Sequence, residues 1–87
     1  MRKFLLFSAT WCKPCETLKN SLKLLPEEIE VQEIDTTEDP ESARKYAIRA
    51  LPTFIKLNDE GNEVARKVGA LDFTLLHEFV TGEVTNG

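Results

Sequence analysis

Cysteine is scarce in this chain of 87 residues: there are two, Cys12 and Cys15, and one histidine, His77. Two thiols three positions apart are too local to brace a whole fold, so a disulfide framework is excluded. Glycine and proline number four each, and no repeat, linker or low-complexity stretch interrupts the chain. No apolar run approaches the roughly 18 residues of a membrane span. Positive charge is in the minority, with 11 Lys and Arg against 15 Asp and Glu, a net charge of −4. That balance speaks against nucleic acid and against an anionic membrane surface as partners. The apolar fraction of 41% and charged fraction of 30% are those of a globular chain rather than a disordered one. The length suits one domain, residues 1–87, with a small core. Met1-Arg2-Lys3 before Phe4-Leu5-Leu6-Phe7 imitates a secretion signal, but the apolar run falls short of the roughly 7–15 residues such a segment needs. It reads as a buried strand, and the expected location is cytoplasmic.

The two cysteines sit in Trp11-Cys12-Lys13-Pro14-Cys15, between that apolar run and a helical pattern carried by Leu18, Leu22 and Leu25. Cys12 is therefore expected at a helix start. The first N–H groups of a helix lack internal partners and form the positive end of its dipole, so an anion is stabilised there. A thiol so placed ionises readily, and the thiolate is the reactive form. The second sulfur lies about one turn on, close enough for a reversible disulfide. Pro14 suits a first turn, having no N–H to lose, and Lys13 adds a cation beside the thiolate. A lone Cys-x-x-Cys equally suits half of a zinc site. The only histidine, His77, lies far downstream and no second cysteine pair exists, so zinc would need ligands shared by a second chain.

Arg2–Ser8 is expected as a central strand, Lys13 to about Leu25 as a helix ended by Pro26, and Ile29–Asp35 as a second strand parallel to the first. Thr37 or Asp39 should cap a short helix begun by Pro40 and ending near Tyr46. Thr53–Leu57 and Glu63–Val68, joined by Asn58-Asp59-Glu60-Gly61-Asn62, form an antiparallel hairpin. Asp72 or Thr74 should cap a last helix with Phe73, Leu76, Phe79 and Val80 inward, and residues 81–87 should fray. The order is β-α-β-α-β-β-α, an α/β fold with a mixed four-stranded sheet.

With the cysteines on a strand-to-helix turn, the chain resembles the thioredoxin family over nearly its whole length. Trp11-Cys12-Lys13-Pro14-Cys15 is similar to that family's Trp-Cys-x-Pro-Cys. The stretch from Lys45 to Thr53 is similar to the segment leading into its cis-proline, and Glu63-Val64-Ala65 with Lys67 to Leu71 to its last hairpin strand and exit. The resemblance implies a thioredoxin-like fold lacking the usual N-terminal strand and helix. It implies Cys12 as attacking thiolate, Cys15 as buried resolving thiol and Pro52 as the cis-proline beside them. Trp11, Leu51, Gly69 and Ala70 then line the groove for a partner's extended segment, with Lys13 and Pro14 supporting. Tyr46 and His77 read as structural. The sequence departs from the family at two linked positions: its buried acid is Leu6 here, and the lysine facing it is Val31. Losing both together is consistent, because either alone leaves a buried charge unpaired.

The implied activity is reduction of protein disulfides, with re-reduction by a thioredoxin reductase that uses NADPH. No bound cofactor or metal is expected, and the expected state is a monomer. Two other readings stay open: a glutathione-dependent reductase of glutaredoxin type, and a thioredoxin-fold subunit without catalysis. Glutaredoxins usually place proline directly after the first cysteine, whereas Pro14 precedes the second; Gly69-Ala70 with Asp72 weakly resembles their glutathione-binding turn.

Overall fold

The computed structural model describes residues 2–25 and 28–82; Pro26 and most of the expected fraying tail lie outside the described residues. Seven elements follow in order: β1 (Arg2–Ser8), α1 (Lys13–Leu22), β2 (Ile29–Asp35), α2 (Pro40–Lys45), β3 (Thr53–Leu57), β4 (Glu63–Val68) and α3 (Phe73–Thr81). They build one mixed sheet in the order β2-β1-β3-β4. β1 runs parallel to β2 and antiparallel to β3, and β3 runs antiparallel to β4.

Because strand side chains alternate between faces, the apolar run of β1 supplies both layers. Phe4 and Leu6 join Phe54 of β3 on one face, where Leu18 of α1 and Leu76 and Val80 of α3 close over them. Phe4 and Phe54 stack with ring centroids 4.9 Å apart, and Phe79 tilts against both rings. On the opposite face Leu5, Phe7 and Ile55 pack with Ile34, Tyr46, Ile48 and Leu51. Ile34 is thus buried on the face away from Ile29 and Val31, as the two-residue period requires.

Helix ends follow local chemistry. Asp39, not Thr37, caps α2 by accepting from Ser42 N–H and Ser42 Oγ, with Pro40 in the first turn. Asp72, not Thr74, caps α3 by accepting from Leu75 N–H. α1 stops at Leu22, three residues before the expected end. There the bonds tighten to i→i+3, Leu24 to Ser21 and Leu25 to Leu22, which turns Leu24 into solvent at 72% exposure. Phe73, expected inward, is 42% exposed and lies against His77 instead. Lys56 is buried on the α3 face, where its Nζ donates to the carbonyls of Phe79 and Gly82. A cation is well placed at that negative helix end.

Candidate active site

The end of β1 and the start of α1 set the two sulfurs. Cys12 has extended backbone (φ −93°, ψ 106°) and is the N-cap of α1, its own N–H held by Ala9 O at 3.1 Å. Cys15 N–H donates to Cys12 Sγ at 3.2 Å. The sulfur therefore does what a serine hydroxyl does at an ordinary N-cap, taking one of the free amides of the first turn. Pro14, between them, removes an N–H that had no helical partner. Cys12 and Cys15 are joined by a disulfide with their Cα atoms 5.3 Å apart. Cys12 is 5% exposed and Cys15 1%, so neither presents much surface, and both pack with Ala9 and Leu51. Their difference lies in what they face: Cys12 lines a surface groove, and Cys15 lies behind it.

That groove, of about 660 Å³, is lined by Trp11, Cys12, Lys13 and Pro14 on one side and by Thr36, Ala43 and the run Ile48 to Leu51 on the other. Trp11 stands 72% exposed at its edge. Thr36 reaches the groove because the parallel β1–β2 pairing brings the two strand ends together, and both its N–H and Oγ1 donate to Ser8 O. The far wall hangs on the end of α2. Ala47 N–H donates to Arg44 O and Ile48 N–H to Ala43 O, a Schellman pattern with Ala47 in the left-handed region at φ 55°. Arg66 of β4 donates to Tyr46 O at 2.8 Å and pairs with Glu63, so a second element holds the same corner.

Pro52 follows a cis Leu51–Pro52 bond, and its carbonyl accepts from Gly69 N–H at 2.8 Å. Thr53 Oγ1 donates to Ala50 O across this turn. The geometry thus brings Trp11, Cys12, Lys13, Pro14 and Leu51 to one groove and places Cys15 and Pro52 behind it. Gly69 stands next to Pro52 with φ 90°, and neither Gly69 nor the exposed Ala70 lines the groove. Thr36, Ala43, Ile48, Arg49 and Ala50 join the lining without having been singled out by sequence. For Ile48 to Ala50 the signal was their adjacency to Leu51-Pro52; for Thr36 and Ala43 there was none.

Leu6 is fully buried, and Val31 packs against the same cluster. The buried polar residues among those described are Ser8, Thr53 and Lys56, so no described carboxylate lies in the core. Among the described residues no three His, Cys, Asp or Glu side chains converge as metal ligands. No helix among them is long and apolar enough to cross a membrane.

A Cys-x-x-Cys disulfide at the N-terminus of the first helix, above a mixed sheet, is the arrangement of a thioredoxin-like thiol–disulfide oxidoreductase. Residues 2–82 match the profile of the family described as Thioredoxin, and the chain belongs to that family. It is 35% identical over 82 residues to thioredoxin of Rhodospirillum rubrum, covering 90% of this chain and 78% of that protein. It is 44% identical over 69 residues to the chloroplastic thioredoxin Y1 of Arabidopsis thaliana, covering 75% of this chain and 40% of that longer protein. The solved structure of a mutant thioredoxin from Halobacterium salinarum superposes with a TM-score of 0.86 at 28% identity, over 98% of this chain and 78% of that one.

Proposed function

We propose that this protein reduces protein disulfides by dithiol–disulfide exchange through Cys12 and Cys15, and is returned to its dithiol form by a flavoprotein reductase that draws on NADPH. The observation that carries the reading is the Cys15 N–H on Cys12 Sγ at the cap of α1, with that sulfur facing the groove. In the reduced protein the same amide and the helix dipole stabilise Cys12 as thiolate. The thiolate attacks one sulfur of the partner disulfide. That bond breaks, a Cys12–partner disulfide forms, and the partner's other sulfur leaves as thiolate and takes a proton. Cys15, having lost its proton, then attacks Cys12; the mixed disulfide breaks, the partner leaves with two thiols, and the Cys12–Cys15 disulfide carries the two-electron oxidation. The groove wall of Trp11 and Leu51 receives the partner's chain during the mixed-disulfide stage, with Pro52 packed behind. Gly69 and Ala70 border the approach from the Pro52 side. Two sulfurs suffice for this chemistry, so no bound cofactor or metal is required of the chain.

We assign it a role in redox homeostasis as a cytoplasmic monomer; its relatives include chloroplastic proteins, so fractionation of the source cell belongs with the enzymology. The deciding experiment measures turnover of a disulfide-bonded protein with NADPH and a thioredoxin reductase, beside glutathione and its own reductase. Turnover with the first pair is expected. Turnover with glutathione alone would favour a glutaredoxin-type cycle, and activity surviving loss of both cysteines would point to a non-catalytic subunit.

A further inference from the structure

The groove beside Cys12 carries charge of one sign. Lys13 stands on one wall and Arg49 on the other, both exposed, and no acidic residue is among those lining it. In a chain of net charge −4 this is a local inversion. Neither cation has an ion pair or side-chain hydrogen bond with another described residue, whereas Lys19 pairs with Glu33 and Arg66 with Glu63. Glu16 borders a smaller hollow with Thr10, Trp11, Cys12 and Lys13 and is not among the residues lining the groove. Between the cations the lining is apolar or small: Ile48, Ala50, Leu51, Ala43 and Pro14. Exposed charges are screened over about 8 Å at physiological ionic strength, so the charges that line the groove weigh more on a bound segment than those on distant faces.

We infer that the groove selects disulfides carried on acidic segments, with carboxylates on the two sides of the reacting cysteine meeting Lys13 and Arg49. The inference rests on the reductase reading above and names the class of substrate that reading leaves open. A segment laid past Cys12 shares the groove with apolar Ile48 and Leu51 and with the two cations. Two cations lining the groove that Cys12 lines, with no acid in that lining, repel a basic segment and attract an acidic one. Exposed charge pairs are individually weak, so the selection acts on encounter rate and is sensitive to salt.

The test uses the full-length protein, reduced in advance and freed of reductant, and three short peptides that carry the same disulfide flanked by glutamate, glutamine or lysine. Second-order rate constants are measured at low and high ionic strength for the native protein and for Lys13→Gln, Arg49→Gln and the double variant. The glutamate peptide is expected to react roughly three- to five-fold faster than the glutamine peptide for each flanking carboxylate at low salt, and the lysine peptide slower by a similar factor. High salt should compress the ratios toward one. Each single variant should remove part of the glutamate-to-glutamine ratio and the double variant nearly all of it, whatever happens to the glutamine rate itself. Equal rates for the three peptides would overturn the inference while leaving the reductase reading intact. A preference that survives in the double variant would overturn the assignment to Lys13 and Arg49. Failure to reduce any of the peptides would overturn the underlying reading, and the inference with it.

Discussion

The amide of Cys15 points at the sulfur of Cys12 across 3.2 Å. One donor thus serves the disulfide and, after reduction, the thiolate, where a charge-assisted bond is about twice as strong as a neutral one. Cys12→Ser is expected to abolish disulfide reduction. Cys15→Ser should retain the first attack and accumulate the mixed disulfide with a partner, seen by intact-mass spectrometry as an adduct lost on adding dithiothreitol. Preferential alkylation of Cys15 in the reduced native protein would reverse the assignment.

Lys13, exposed and adjacent to Cys12, favours the ionised, reduced form of the pair. The reduction potential is therefore expected to lie about 10–30 mV above the thioredoxin reference of about −270 mV. An exposed cation supplies no more than this. Lys13→Gly should lower the potential by that amount in a redox titration against glutathione. An unchanged value would mean the lysine is simply solvated.

Leu6 is 0% exposed within an apolar cluster, with Val31 against the same cluster. Carboxyl NMR from pH 4 to 9 on the oxidised protein should show no Asp or Glu titrating above about pH 6. Leu6→Asp should destabilise the fold by several kcal/mol near neutral pH, since nothing in that cluster pairs with the charge. Cys15 is then left to deprotonate to water or to the Cys12 thiolate. A single carboxyl with a midpoint near neutrality would show that a base exists elsewhere.

Ala47 adopts φ 55° where a Schellman turn ends α2. A Cβ is strained there and glycine is not. Ala47→Gly is expected to raise stability by roughly 0.5–1 kcal/mol in urea unfolding, the relief of strain exceeding the entropy that glycine adds to the unfolded chain. A loss of stability would contradict this account of the turn.

Two carboxylates are held below their ordinary range: Asp39 by hydrogen bonds from the Ser42 side chain and backbone, and Glu63 by its bond to Arg66. A depressed folded-state pKa means the unfolded chain binds the proton first. The stabilisation is complete above the ordinary carboxylate values near 4 and is lost as pH falls through the lower folded values. Acid titration of thermal stability should therefore show a decline below about pH 4, diminished in Asp39→Asn and in Glu63→Gln.

Strand limits were legible in the sequence because period and turn chemistry are local: Arg2–Ser8, Ile29–Asp35, Thr53–Leu57 and Glu63–Val68 stand where apolar runs and the Asn58–Asn62 cluster put them. The capped starts of α2 and α3 were legible for the same reason, down to a choice between two candidates. What the sequence left hidden depends on where elements end relative to one another. The apolar pattern of α1 runs on to Leu25, yet the bonds tighten and the helix stops at Leu22. Phe73 has the spacing of an inner residue but stays 42% exposed at the first turn of α3 and touches His77 instead. At the site, Trp11 to Cys15 and Leu51-Pro52 announced themselves by motif. Thr36 and Ala43 became visible only when parallel pairing and the α2 turn carried them to the groove.

Arg66 ties the edge strand to that turn, donating to Tyr46 O while Ile48 N–H is held by Ala43 O. The corner is thus braced from two directions, by its own turn and by the edge strand. Loss of the Arg66 side chain would free the Tyr46 carbonyl while leaving Ile48 packed on the Leu5, Phe7 and Ile55 cluster. The Ala47 and Ile48 amides keep their own acceptors, Arg44 O and Ala43 O, so the backbone of the turn closes on itself and the edge strand adds one outside brace through Arg66.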